Sequence, residues 1–169
     1  PYMREKPAAP LRRFDLTAIA WLIGINVAAF AFQQINLVYL KLPVNEYLAL
    51  SPRGLGRGFV WQLLSFQFLH AGLGHLLFNL LGLWIFGRSV EVRLGKRTFF
   101  LVYFLSGAVG GLLQVTLAGL FPSHFGSAVF GASAGVLALI AVFALMEPEA
   151  EILLFFVLPL KARHLLLGA

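Results

Sequence analysis

Several stretches of this chain stay apolar for close to twenty residues, the length a helix needs to cross about 30 Å of hydrocarbon. Of 169 residues 60% are hydrophobic and 12% charged, with a mean hydropathy of +0.87. A soluble domain of this size carries roughly 25% charged residues. The pattern specifies an all-α polytopic membrane protein. Four spans are expected, at about Leu16–Ile35 with Asp15 as its cap, Leu69–Phe86, Thr98–Phe121 and Val129–Met146. A fifth helix is expected to start near Leu160 after the short apolar run Ile152–Leu158. Residues 1–14 read as a polar basic tail and 15–169 as one membrane domain. The sequence opens at Pro1 without an initiator methionine, as part of a longer product would, and its first apolar run lacks a cleavage site, so it reads as an anchor.

Charge sets the orientation. The net charge of +6 comes without any nucleic-acid-binding pattern, and Lys and Arg collect in cytoplasmic loops of membrane proteins. Arg4, Lys6, Arg12 and Arg13 precede the first span, Arg88, Arg93, Lys96 and Arg97 separate the second from the third, and Lys161 and Arg163 follow the fourth. The N-terminus is therefore expected inside, with the second and fourth spans starting outside. The connection Asn36–Gln67, containing Tyr39, Tyr47, Phe59 and Trp61, is too broken to cross and too apolar to be a loose linker. It suits the membrane interface, where Trp and Tyr concentrate. With no cysteine there is no disulfide or thiolate chemistry, and nothing calls for a metal or a cofactor.

Polar side chains inside spans are costly and mark candidate sites. The string HAGLGHLLFN holds His70, His75 and Asn79, and FGASAG holds Ser133. His75 and Asn79, four apart, share a helix face. Counted along ideal helices, Ser133 lies about 6 Å below the outer boundary, His75 about 8 Å and Asn79 about 13 Å. A serine hydroxyl beside amide and imidazole donors suits acyl transfer, in which donors hold the developing oxyanion. Gly131, Ala132, Ala134 and Gly135 would let a substrate backbone approach. No general base is evident; His75 could serve as base or as oxyanion donor. Singly, each residue has a plainer reading. GASAG is itself a small-residue packing motif, as is Gly107–Gly111; Asn79 can join two helices, and His70, His124 and His164 can be structural or solvated.

In combination these strings resemble the rhomboid family. HAGLGHLLFN is similar to its second-span signature. GRSVEVRLGKRTFFLVYFLSG, with Gly87, Glu91 and Gly95 at four-residue intervals, is similar to its link into the third span. FGASAGVLALI is similar to its serine motif, and VLPLKARHLLLG to the entry of its fifth helix. The resemblance covers roughly Phe59 to the end. The resemblance is to the prokaryotic type, and it implies a six-span helical bundle in a bacterial plasma membrane that cuts other membrane proteins in or near their transmembrane segments. Here that means four complete spans and the start of a fifth. It further implies Ser133 as nucleophile, a base histidine on a sixth span outside these residues, and an oxyanion hole from His75, Asn79 and the Ser133 N–H. His70 and Gly131 would support the site, and Glu91 would be structural at the cytoplasmic turn.

Two positions depart from the family pattern. Ala134 replaces the usual glycine after the serine, and Gln62 follows Trp61 where arginine is common. The partners implied are transmembrane protein substrates and the lipid bilayer, with no nucleic acid; oligomeric state is not specified. The alternative from another class is an inactive rhomboid-like protein that binds client transmembrane helices, which would not need Ser133, His75 and Asn79 together. A transporter or channel would want charged groups along a pathway, and the four spans contain none.

Overall fold

The structure is a computed structural model that describes residues 17–122, 128–154 and 158–167. It is predominantly helical. α1 (Ala18–Ile35) continues through a π-helical turn to Leu40. Three short helices follow, α2 (Val44–Leu48), α3 (Pro52–Gly56) and α4 (Gln62–Ser65), then the long α5 (Leu73–Leu120) and α6 (Ser133–Met146). Two helical stretches, Ala18–Leu40 and Leu73–Leu120, are long and apolar enough to cross a membrane, and α6 is a shorter apolar helix. α6 packs chiefly on α5, with α1 on α5 beside it. The core between the three contains Leu22, Leu83, Phe99, Tyr103, Val136 and Leu139, all buried.

α5 is two arms in one run. Gly95 (φ 76°, ψ 161°) leaves helical geometry in its middle, a backbone state that glycine enters at little cost. The glycine spacing foreseen around this turn has a physical basis at each position. A β-carbon at Gly87 would sit 3.3 Å from Ile19 and Phe99, so the arms approach closely there. One turn further, the buried Glu91 carboxylate accepts hydrogen bonds from the backbone N–H of Ala18 (2.7 Å) and Ile19 (3.3 Å). The first N–H groups of a helix have no internal partner, and a carboxylate there also meets the positive end of the helix dipole. Thr17 holds the cap position and accepts from Ala20 N–H; Asp15, the expected cap, lies outside the described residues.

The connection from α1 to α5 is a folded unit. Gln62, where the resemblance leads to an expectation of arginine, is fully buried: its amide donates to the Glu46 and Tyr47 carbonyls (2.9 and 3.3 Å) and accepts from Ser51 N–H (3.2 Å). Gly54 makes room for it, since a β-carbon there would fall 2.0 Å from the Gln62 Oε1. Arg57 pairs with Glu46 at 2.8 Å. Tyr47, Phe59 and Trp61 stack in sequence, and the Trp61 indole donates to the Tyr47 carbonyl.

Three expectations need correction. The second span does not begin at Leu69: Leu69 and Gly72 are extended, and α5 starts at Leu73. The fourth does not begin at Val129, which pairs with Leu50 in an isolated antiparallel bridge, and α6 opens at Ser133. Depths counted along helices from those starts therefore do not apply. Nor does an α-helix begin at Leu160; the helix near it is of 3-10 type and starts at Ala162. Glu151–Leu154 (β1) and Leu158–Lys161 (β2) form an antiparallel pair, followed by a 3-10 turn at Ala162–Leu167, so the described chain is not purely α. Pairing satisfies main-chain groups in a run too short to cross. Exposed Glu149 bonds Lys161 and Arg163 beside it, and the Lys161 hydrogen bond lowers its carboxyl pKa.

Replacing Glu91 with alanine strands two buried N–H groups at the start of α1. The expected cost is about 1–3 kcal/mol, with Glu91→Gln losing less. Denaturant titration in micelles reads this as a lower midpoint, and an unchanged midpoint would contradict the capping role.

Candidate functional site

The two helix starts that were placed too early in the sequence meet each other. The extended segment before α5 carries His70, and the first turns of α5 carry His75 and Asn79. The extended segment before α6 carries Gly131, two residues ahead of Ser133. Gly131 N–H donates to the Phe66 carbonyl (3.0 Å), tying this segment to the turn that precedes α5. Gly131 has φ 117°, and a β-carbon on it would lie 2.5 Å from His75 Cε1 and 2.8 Å from Nε2. Both the torsion and the imidazole packed on its Cα select glycine at this position.

The imidazoles of His70 and His75 meet edge to face, with centroids 5.2 Å apart. His70 is buried, its Nδ1 is 3.3 Å from the Phe68 carbonyl, and among the described residues its Nε2 has no hydrogen-bond partner. The backbone around it is held by Gln33 of α1, which accepts from His70 N–H (2.9 Å) and donates to its carbonyl (3.4 Å). Asn79 is buried and donates one amide N–H to the His75 carbonyl one turn above (2.9 Å). Its second N–H is not used by that bond.

Ser133 is exposed and is the first residue of α6, so its N–H is among the four that a helix leaves unpaired. The first turn closes behind it through Val136 N–H to the Ala132 carbonyl (3.0 Å). Among the described residues its hydroxyl has no hydrogen-bond partner. It opens into a cleft of about 380 Å³ whose walls include Phe66, Gly110, Gly111, Gln114 and Phe130. The helix N-terminus adds a positive field at this point. Ser133 thus brings a hydroxyl and a helix-start N–H to an open cleft, two residues after the Gly131 on which the His75 imidazole packs.

Small residues behind the serine let the helices close. A β-carbon on Gly135 would meet the Tyr103 ring at 2.8 Å, and one on Gly110 would fall 2.7 Å from the Ala134 methyl. Gly110 thus provides the space that Ala134 occupies. Gly107 and Gly111 accept Gln67 and Phe66 from the preceding connection, where β-carbons would come within 2.1 and 2.5 Å. Their motif is a packing motif, as read, but its partner is the connection.

His70, His75, Asn79, Gly131 and Ser133 are therefore gathered at one end of the bundle. His164 lies in the 3-10 turn after β2 and His124 outside the described residues. The sequence reading did not single out Gln114, or Gln33 as a contributor to the site. Each is an amide in an otherwise apolar run, the same signal that pointed to Asn79.

A family profile described as Rhomboid domain matches residues 57–168. The chain is 31% identical over 160 residues to Rhomboid protein 1, mitochondrial, of Saccharomyces cerevisiae, covering 92% of this chain and 44% of that protein. It is 32% identical over 136 residues to Rhomboid protease GluP of Bacillus subtilis, covering 76% and 25% respectively. It is also 36% identical over 83 residues to Inactive RHOMBOID-like protein 8 of Arabidopsis thaliana, covering 48% and 24%. The chain spans less than half the length of each of these relatives.

The Gly110–Ala134 contact is testable without any assay of activity. Gly110→Ala overfills it and is expected to cost about 1–3 kcal/mol, while Gly110→Ala with Ala134→Gly recovers most of the loss. Thermal midpoints in detergent check this; equal midpoints for the single and double variants would contradict the pairing.

Proposed function

The chain belongs to the rhomboid family, and from that premise we propose that it is the catalytic part of an intramembrane serine endopeptidase with Ser133 as nucleophile. The observation that carries the proposal is Ser133 at the start of α6, exposed to a cleft, with His75 packed on Gly131 two residues before it. In this reading the Ser133 hydroxyl attacks the carbonyl carbon of a transmembrane segment's peptide bond. The oxygen gains negative charge as the tetrahedral centre forms. The Ser133 N–H, the His75 imidazole and the unused Asn79 N–H would share that charge, and preorganised donors of this kind commonly contribute the largest part of the barrier lowering.

The base is a histidine supplied by a sixth span, which accepts the serine proton and returns it to the leaving amine. His164 is not given that role, because it follows the fourth span on the side marked by Lys161 and Arg163. The bundle is proposed to have four spans in this chain, with α5 contributing two arms on either side of Gly95, and the segment after Leu160 leading into a fifth. Residues 15–169 form its membrane domain, behind a basic tail at 1–14. The protein is integral to the membrane. The basic residues around Gly95 would place that turn and the N-terminus inside, and the cleft would open to the opposite side. Relatives from bacteria and mitochondria share the match, so the proposal specifies topology and not organelle. The α1–α5 connection would lie at the outer interface through Tyr47, Phe59 and Trp61.

The second reading, a non-cleaving binder of client helices, is favoured by the match to an inactive relative. The two separate on substitution. Ser133→Ala is expected to abolish cleavage of a transmembrane reporter while leaving the thermal midpoint unchanged. Asn79→Ala should lower kcat by about tenfold to a thousandfold, with KM little altered. Undiminished cleavage by Ser133→Ala would overturn the assignment, and a wild-type protein that binds the reporter without cutting it would favour the binder.

A further inference from the structure

At the end of the bundle opposite Ser133, the first arm of α5 and the end of α6 enclose a second cleft of about 350 Å³, lined by Ile85, Arg88, Ser89, Val92, Arg93 and Glu147. Its lining divides by chemistry. Ile85, Arg88, Ser89 and Val92 are spaced three and four apart, so they form one stripe along the helix. One turn before Arg88 stands Trp84, 65% exposed, on the same stripe. An exposed Trp followed by an Arg one turn later is the sequence of groups found where a span leaves hydrocarbon for headgroups.

The two arginines differ in their freedom. Arg93 is held by Glu147 at the end of α6, whose N–H returns to the Phe143 carbonyl (2.8 Å), while Phe143 packs on Phe86 at 5.3 Å. The ion pair fixes one wall of the cleft. Arg88 is exposed and has no acidic partner among the described residues. The nearest other carboxylate in the sequence, Glu91, is buried and committed to the start of α1. Two guanidinium groups against one carboxylate leave the cleft positive, with Arg97 two residues beyond Gly95 adding to the field. Guanidinium and hydroxyl donors match phosphate oxygens, and the guanidinium fork can bind them in pairs. The apolar stripe runs on from them along α5, toward the centre of the span.

We propose that this cleft binds the phosphate of an anionic phospholipid headgroup, with Arg88 and the Ser89 hydroxyl on the phosphate and an acyl chain along Ile85 and Trp84. Basic pockets between transmembrane helices on the cytoplasmic side suit such lipids, because that leaflet is enriched in anionic headgroups. The site needs the chain to be membrane-embedded but does not depend on cleavage, so it can fail or stand separately from the catalytic reading.

Native mass spectrometry of the detergent-purified full chain, titrated with phosphatidylglycerol and with phosphatidylcholine, tests it. Wild type should retain phosphatidylglycerol in preference to phosphatidylcholine, and Arg88→Gln should weaken that retention by roughly tenfold with an unchanged thermal midpoint. Arg53→Gln, in the α1–α5 connection at the Ser133 end, should retain the lipid as wild type does. Equal retention of the two lipids, or equal loss in both arginine variants, would overturn the site. Displacement by glycerol 3-phosphate at the same concentration as the lipid would overturn the lipid assignment.

Discussion

A main-chain or amide group left unpaired in an apolar interior costs several times what a single exposed hydrogen bond contributes, and the arrangement of this chain follows from avoiding that cost. Among the described residues each buried amide side chain is bonded to backbone. Gln62 gathers Glu46, Tyr47 and Ser51. Gln67 donates to the Leu63 and Phe104 carbonyls. Asn36 both donates to and accepts from Leu42, closing the π-helical turn. Gln33 brackets His70, and Glu91 closes the start of α1. These bonds allow non-helical chain to exist next to long apolar helices, and the candidate site is made of such chain. The extended segments before α5 and α6 are stabilised by Gln33, by Gly131 N–H on Phe66, and by the Leu50–Val129 bridge.

Glycines perform the complementary task of close approach. Gly54 and Gly107 each receive a buried glutamine, Gly111 receives Phe66, and Gly131 receives His75. The connection between α1 and α5 is therefore keyed into the second arm of α5, and the connection and α6 are referenced to the same helix. The packing of His75 on Gly131, two residues before Ser133, rests on this shared frame. The Ala134 departure from the family pattern fits within it because Gly110 carries no side chain, and Gln62 shows how an amide can hold the connection where arginine is common.

Much of this was legible in the sequence, and the failures have a common cause. Apolar run length located the helices, and scarcity of polar residues inside them pointed to His70, His75, Asn79 and Ser133, which the fold does bring to one end. The resemblance to the family's link into the third span placed Gly87, Glu91 and Gly95 around a turn, and Gly95 there has a positive φ. Helix starts were missed at Leu69 and Val129 because hydropathy records burial and not backbone shape: both are apolar and extended. The β1–β2 pair was missed for the same reason, as a short apolar run has no periodicity that separates strand from helix. Glu91 was recognised as structural, but its bond to Ala18, 73 residues away in sequence, follows only from the packing of α1 on α5.

The Ser133 hydroxyl, at the start of α6 and two residues after the Gly131 on which His75 packs, is the proposed nucleophile. The most direct measurement is the intact mass of the full-length protein containing this chain after exposure to a fluorophosphonate, with Ser133→Ala treated in parallel. A single adduct on the wild-type protein that is absent from the variant is the predicted result. A folded wild-type protein that takes no label, or a variant labelled to the same extent, would contradict it.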